Sequence, residues 1–275
     1  MPLRAKENAL TVDALSKEKE FHDNWARSVE PASIGVDILG EAPTLPEIQY
    51  ILAHLGPLQG KKILDIGCGC GEASVFFAKQ GAIVTASDLS SDMLDLASKV
   101  AALHKVEIST VKGDASQLTL PDEEFDIIYM ANLLHHVDVE KTVKDAHRML
   151  KPGGLFASWD PIKYNPAINI YRKIASEVRT DDEHPLGCAD LAIISSQFKN
   201  VKTGFFWLSA LAIFLKYYFI NRVDPNKERY WKKVVEDRNI YSMYKTLAKI
   251  DRAILKVCPP LRWLCWNIAI MAEKK

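Results

Sequence analysis

The chain reads as an α/β protein built on a doubly wound, mostly parallel seven-stranded sheet. Two observations predict that class. From about residue 60 to about residue 160, short apolar runs alternate with helical patterns, the mark of a parallel sheet covered on both faces. The first of those runs, Lys62-Ile63-Leu64-Asp65-Ile66, breaks into Gly67-Cys68-Gly69-Cys70-Gly71 and then directly into a helical pattern from Glu72 to Phe77. A buried strand thus meets a glycine turn at a helix N-terminus, where a ligand can press on bare backbone N–H groups.

The elements follow in order. Residues 1–55 are expected to form an N-terminal helical cap. Its first helix spans Ser16 to Ala26 with a charged flank; its second runs through Ile48, Ile51, Leu52 and Leu55, punctuated by Pro43 and Pro46. Gly56, Pro57 and Gly60 close that helix, and residues 56–160 form the ligand-binding core. After the glycine turn and its helix, Ile83-Val84-Thr85-Ala86-Ser87-Asp88 reads as a second strand ending in an acid, seventeen residues beyond Gly71.

The glycine spacing is G-x-G-x-G, with Asp65 two residues before the first glycine. The dinucleotide fingerprint is G-x-G-x-x-G, which sets a pyrophosphate against the helix dipole. A carboxylate at position 65 repels phosphate and suits an ammonium group. Cys68 and Cys70 are spaced wrongly for zinc and serve as small residues filling the loop.

The run hydrophobic-Asp-x-Gly-x-Gly-x-Gly resembles the first motif of the class I S-adenosylmethionine-dependent methyltransferases, and the resemblance extends over roughly residues 60–160. Val111-Lys112-Gly113-Asp114-Ala115 matches the third-strand tip of that family. Phe125-Asp126-Ile127-Ile128-Tyr129 matches the fourth strand, and Lys151-Pro152-Gly153-Gly154 the turn into the fifth, Leu155-Phe156-Ala157. The resemblance implies S-adenosylmethionine as cofactor. Its methionine end would lie on Asp65, Gly67, Cys68, Gly69 and Gly71, and its ribose on Asp88. Its adenine would lie among Leu89, Met93, Gly113, Asp114 and Ala115, with Asn132 completing the set.

Residues 161–275 are expected to complete the sheet. A helix over 167–179 and a polar loop from Arg179 to His184 precede a sixth strand at Asn200–Phe206 and a seventh at Trp266–Ala272. Between these strands, a helical insertion at approximately 207–262 reads as the acceptor cover. Gly204 to Ile220 is a run of seventeen, nearly all apolar, broken by Lys216. A membrane span needs about twenty apolar residues. The run therefore reads as a strand and then a buried helix, with an exposed helix touching a membrane or a greasy substrate as the alternative. Leu261-Arg262-Trp263-Leu264-Cys265-Trp266 adds a second aromatic cluster, and together the two suggest a hydrophobic acceptor pocket. Asp224 to Lys233 mixes positive charge with aromatics, which fits the exposed side of an amphipathic helix or a seat for an anionic head group.

Composition narrows the partners. The chain has 275 residues, with lysine plus arginine and aspartate plus glutamate both at 35. No global field favours nucleic acid. Five scattered cysteines make no disulfide framework, and the polar N-terminal stretch lacks an apolar core, so a reducing cytoplasm is the expected setting, with peripheral membrane association open. Oligomeric state is not written in the sequence.

Methyl transfer from a sulfonium is an in-line displacement, so the protein's work is alignment and, for some acceptors, proton removal. The candidates are Asn132, His135 and His136, which a helix beyond the fourth strand would set on one face. A histidine there is placed to act as general base, and the two are not separable by sequence. Some quinone-ring O-methyltransferases carry metal-binding acids in the equivalent stretch. Asn132 and His135 replace acids here, too few hard oxygens remain for magnesium, and no metal is expected. Asp160 and Tyr164 are placed to reach the acceptor. His22, Asp23 and Trp25 would close over the cofactor if the first helix folds back as a lid, as in similar enzymes. The rival readings are a nicotinamide oxidoreductase, a non-enzymatic binding module, and a cyclase or isomerase that borrows the fold.

Overall fold

The computed structural model describes residues 16–175 and 183–275. A seven-stranded sheet runs through it in the order β3-β2-β1-β4-β5-β7-β6. The strands are β1 (Lys62–Ile66), β2 (Ile83–Asp88), β3 (Ser109–Lys112), β4 (Phe125–Ala131), β5 (Leu150–Pro161), β6 (Phe198–Phe206) and β7 (Asn267–Lys274). Strands β1 to β5 pair in parallel, and β7 runs antiparallel to both of its neighbours. The strand order reverses between β1 and β4. Two crossovers leave the sheet in opposite directions there, which opens a crevice at the carboxyl ends.

Alternation along each strand divides the core. Ile63, Val84 and Ile127 face one layer, where α3 (Pro46–Leu55), α4 (Glu72–Lys79) and α5 (Ser91–Leu103) pack. Leu64, Ile66, Ile128 and Met130 face the other, against α6 (Val139–Met149) and α8 (Cys188–Gln197). The first helix, α1, spans 16–28. The short α2 (Ile38–Glu41) links it to α3, and α7 (Pro166–Ile174) follows β5. Side-chain caps set several helix starts: Ser90 accepts from the Met93 N–H, Asp138 from Lys141 and Asn165 from Ile168.

The sixth and seventh strands lie where the sequence indicates, β6 starting two residues earlier and β7 shifted toward the C-terminus. The helix expected over 167–179 stops at Ile174. Residues 176–179 and most of the polar loop lie outside the described residues.

The apolar run divides. Beyond β6 it continues through a 3-10 turn (Ser209–Leu211), α9 (Ala212–Leu215) and a π-helical turn (Lys216–Ile220). Leu211, Ile213, Phe214 and Tyr217 are buried with Trp207, Tyr230 and Tyr244 in a separate aromatic core, to which α10 (Tyr230–Glu236) and α11 (Tyr241–Val257) contribute. Leu215, Tyr218, Phe219 and Ile220 point outward, Phe219 at 69% and Ile220 at 74% exposure. The expected buried helix and the expected exposed apolar surface are thus two sides of one segment. No helix among the described residues is long and apolar enough to cross a membrane.

Candidate functional site

The glycine turn is the centre of the site. Gly67, Gly69 and Gly71 all have positive φ, at 71°, 52° and 86°. Their roles differ. A Cβ on Gly71 would stand 2.6 Å from the Cβ of Ala97, so this glycine lets α4 and α5 approach. A Cβ on Gly67 would meet Leu133 at 2.9 Å. A Cβ on Gly69 would meet nothing within 4 Å. The middle glycine therefore turns its bare backbone to open space, and its neighbours brace the loop.

Acids surround that opening. Asp88 Oδ2 accepts from the Gly69 N–H at 3.0 Å, and its Oδ1 from the Ser90 N–H at 2.9 Å. Asp65 is buried and accepts from Ser74 Oγ at 2.5 Å. Burial is the main reason its carboxyl is pushed up to about 7; Glu72 and Asp88 push it further and Ser74 opposes them. Desolvation raises Glu72 and Asp88 as well. Three carboxyls packed so closely favour a positively charged occupant.

The adenine side is partly as expected. Leu89 is half-buried beside Asp88. Asp114 accepts from both the backbone and the hydroxyl of Ser116, at 2.8 and 2.7 Å, and Gly113 donates its N–H to Asp88 O. Ala115 is buried in the layer facing α6. Met93 is a correction: it is fully buried at the start of α5, its sulfur 4.0 Å from Cys70 Sγ. It belongs to the core behind the turn and offers no surface to a ligand. Cys68 is likewise buried, its N–H held by Ser87 O at 3.0 Å.

A lid lies over the opening. In α1, Asp23 accepts from Ser90 Oγ at 2.5 Å, and Arg27 pairs with Asp92 at 2.6 Å. Trp25 packs edge-on against Trp231 of α10. The Arg229 guanidinium lies 4.4 Å from the Trp25 ring centre and 5.3 Å from that of Phe21. The basic run has the exposed side expected of an amphipathic helix, with Lys227 and Lys232 outward and Tyr230 and Val234 buried, but it is no anion seat at Arg229. That side chain joins the insertion to the N-terminal helix.

The expected helix beyond β4 is absent. Asn132 has a positive φ of 52°, and a single 3-10 turn covers Leu134–His136. The one-face arrangement is lost: Asn132 is exposed and His135 is buried. His135 Nδ1 lies 2.8 Å from Asp160 Oδ1. The two imidazoles lie with centres 4.1 Å apart and planes tilted by 41°, and His136 Nδ1 is 3.6 Å from Glu18 of the lid. The histidines that the sequence leaves equivalent are thus distinct, one anchored to β5 and one turned toward α1. Asp160 is fully buried, with no exposed surface for an acceptor. Tyr164 accepts from the Cys188 N–H at 3.0 Å.

Sequence reasoning missed Ser74, Glu18, Glu183 and Glu47. Glu47 is buried, accepts from Asn267 Nδ2 at 2.8 Å, and is raised by burial to about 7. Glu183 belongs to the loop before α8, and its carboxylate gathers with His135 and His136, ligand atoms within 4.8 Å of one another. Beside them lies a cleft of about 500 Å³ lined by residues that include Val137, Asp138, Lys163, Glu183 and His184. The aromatic residues of the insertion pack on one another and do not line it.

Residues 64–158 match the family model described as a methyltransferase domain. A ubiquinone biosynthesis O-methyltransferase of Coxiella burnetii is 41% identical over 108 residues, 39% of this chain and 46% of that protein. The chain thus spans about half the length of that curated relative. Among solved structures, a putative sarcosine dimethylglycine methyltransferase from Galdieria sulphuraria superposes with a TM-score of 0.54 at 16% identity, covering 82% of this chain and 83% of the other. Phosphoethanolamine N-methyltransferase 2 of Haemonchus contortus, solved with S-adenosyl-L-methionine, gives 0.55 at 21% identity over 82% of this chain and 51% of that one. These likenesses establish a methyltransferase fold.

Proposed function

With residues 64–158 carrying a methyltransferase domain, we propose that this protein transfers a methyl group from S-adenosylmethionine to a small amphiphilic acceptor. One observation carries the reading. The open backbone of Gly69 is ringed by Asp65, Glu72 and Asp88, a site that suits a nucleoside bearing ammonium and sulfonium charge and repels a pyrophosphate.

Asp65 would receive the ammonium group, directly or through the backbone it braces, and Asp88 the ribose hydroxyls. Asp114 would take the adenine amino group. The bound cofactor supplies an electrophilic methyl group, so the chain's own residues align, exclude water and handle a proton. The lid helix excludes water through its contacts to Ser90 and Asp92. The His135–His136 pair, steadied by Asp160, would receive an acceptor proton at the carboxyl ends of β4 and β5.

The relatives named for ubiquinone biosynthesis support a lipid-like acceptor. The outward Leu215, Tyr218, Phe219 and Ile220, flanked by Lys216 and Arg222, support delivery from an anionic membrane surface. Two experiments test the reading. Calorimetry is expected to register S-adenosylhomocysteine in the micromolar range and no NADH. Incubation with labelled cofactor and a lipid extract is expected to yield a methylated small molecule. Tight NADH binding, or cofactor binding without any methylated product, overturns the proposal. Cosedimentation with anionic vesicles, lost in Phe219→Ser/Ile220→Ser, tests the membrane component.

A further inference from the structure

Glu47, on the first turn of α3, is only 2% exposed and takes no part in the cofactor turn or the histidine pair. It sits where the insertion joins the sheet. The chain leaves β6 at Phe206 and returns to β7 at Asn267, and these two residues are partners in the sheet. The Trp266 N–H donates to both Phe206 O and Trp207 O at 3.1 Å, so the two ends of the insertion are tied side by side. Glu47 accepts from the Asn267 side-chain amide at 2.8 Å, and the Trp207 side chain also hydrogen-bonds to it. Trp207 is itself constrained. It is a bulky residue at a φ of 67°, buried, and packed on Trp266, Tyr244 and Phe214. Such a backbone persists only where its surroundings over-determine it.

We infer that Glu47 is the positioning residue of the insertion: one buried carboxyl on α3 holds both of its ends, Trp207 on the way out of the sheet and Asn267 on the way back. The hold is firmest when the carboxyl carries its proton. Ionised, the group can only accept, and its charge is cut off from water. Protonated, it also donates, and Asn267 Oδ1 is a buried acceptor with no partner among the described residues. Acid and amide then make a two-point pair. Burial pushes Glu47 from the ordinary 4.5 up to about 7, opposed by Asn267, Trp207 and its own backbone, with no cation among the groups that act on it. Its titratable neighbours are Tyr129 on β4, Tyr244 on α11 and Cys265 just before β7, all three raised in part by its charge, and Tyr50 one turn along α3. Each of these stays neutral where Glu47 titrates. Asp251 of α11 is committed to the N–H groups of Leu208 and Ser209.

The insertion carries Arg229, which covers Phe21 and Trp25 of the lid. A hold on its ends is thus passed to the helix above the cofactor turn. An undocked carboxyl releases its proton near 4.5 and the docked one near 7, so docking weakens as pH rises between those values. Glu47→Gln keeps the two-point pair, amide to amide, at every pH. The role stands on the geometry of the two ends and does not depend on the methyl-transfer reading.

The test is amide exchange in the full chain at pH 5 and pH 7, corrected for intrinsic rates. In residues 208–257 the opening equilibrium is expected to grow by roughly thirtyfold between these values, one proton being released per opening. Exchange in α6 should stay level. Glu47→Gln should abolish the rise. Glu47→Ala leaves the Asn267 amide unpaired and should exchange at least tenfold faster than either at pH 5. Dissociation of S-adenosylhomocysteine at pH 6 is expected to be at least threefold faster in Glu47→Ala and restored in Glu47→Gln. Circular dichroism checks that each variant is folded. Should Glu47→Ala unfold, the pH slope of the unaltered protein against that of Glu47→Gln still decides the matter. A rise below tenfold, a slope that survives in Glu47→Gln, or an equal rise in α6 overturns the role. Equal dissociation in all three proteins overturns its transmission to the lid. S-adenosylhomocysteine binding to none of them counts against the methyltransferase reading, while exchange still decides on Glu47.

Discussion

The Gly69 backbone N–H and the Asp88 carboxylate are joined at 3.0 Å across the tips of β1 and β2. One carboxylate oxygen thus holds the ligand-facing residue of the turn, and the other holds the start of the next helix through Ser90. The residue expected to grip a ribose also shapes the surface on which the rest of the ligand lies. Replacement by alanine removes both effects. Asp88→Ala is expected to weaken S-adenosylhomocysteine by at least thirtyfold in calorimetry, a loss of about 2 kcal/mol or more at roughly 1 kcal/mol per hydrogen bond. Asp88→Asn should lie between the two. Equal affinity in all three proteins would deny the role.

The three glycines make separable predictions. Gly71→Ala forces a Cβ against Ala97 at a φ of 86°, so it is expected to cost about 2–4 kcal/mol in urea unfolding from overpacking and backbone strain together. Gly69→Ala, with open space around its Cβ, should cost only about 1–2 kcal/mol. Its effect should appear instead as a loss of cofactor binding. If both variants lose stability alike, the division of roles is wrong.

Asp65 supplies a pH signature. Unfolded, its carboxyl titrates near the ordinary aspartate value of 3.8; in the folded protein burial pushes it up to about 7. The folded state therefore binds the extra proton between those values, and stability falls as pH rises from about 4 to about 7, by a few kcal/mol. Glu47, also raised by burial to about 7, adds in the same direction. Asp65→Asn should flatten this slope in thermal melts between pH 5 and 8 and raise the melting temperature at pH 8. It should also weaken S-adenosylhomocysteine. A ligand ammonium favours the ionised acid, so affinity in the native protein is expected to climb toward pH 7 with proton release on binding.

The lid depends on Arg229, whose guanidinium covers Trp25 and Phe21. A partly desolvated cation–π contact of this kind contributes about 1–2 kcal/mol. Arg229→Ala is therefore expected to speed amide exchange in residues 16–28 by roughly tenfold and to shorten cofactor residence, leaving exchange in β1 and β4 unchanged. Unaltered exchange in the first helix would remove Arg229 from this role.

What the sequence displayed and what it hid follow a physical boundary. The glycine turn, Asp88 at the β2 tip and the positions of the strands along the chain were legible because each is local, written in spacing and in short apolar runs. The 3-10 turn at Leu134–His136 was not, because Asn132 adopts a left-handed backbone that interrupts the helical pattern its neighbours suggest. Met93 looked available because it follows Asp88 closely, but its N–H is taken by the Ser90 cap and its side chain turns inward. Glu183 and Glu18 meet the histidines only through tertiary structure, across separations that no local pattern records. The aromatic run was misleading in a different way. Its length predicted a buried helix, and one side is buried, but against its own neighbours Trp207 and Tyr244 and not around a ligand cavity.

The antiparallel strand β7 has a kinetic consequence. It pairs with β5 on one side and β6 on the other, and Lys274 Nζ donates to Leu150 O at 2.6 Å across its far end. Until Asn267 and its successors emerge from the ribosome, two strand edges remain bare for as long as the whole aromatic insertion takes to be translated. Such distant pairing is slow to form and open to mispairing in the interval. Heterologous production at reduced temperature, or with holdase chaperones, is where that delay would be felt first.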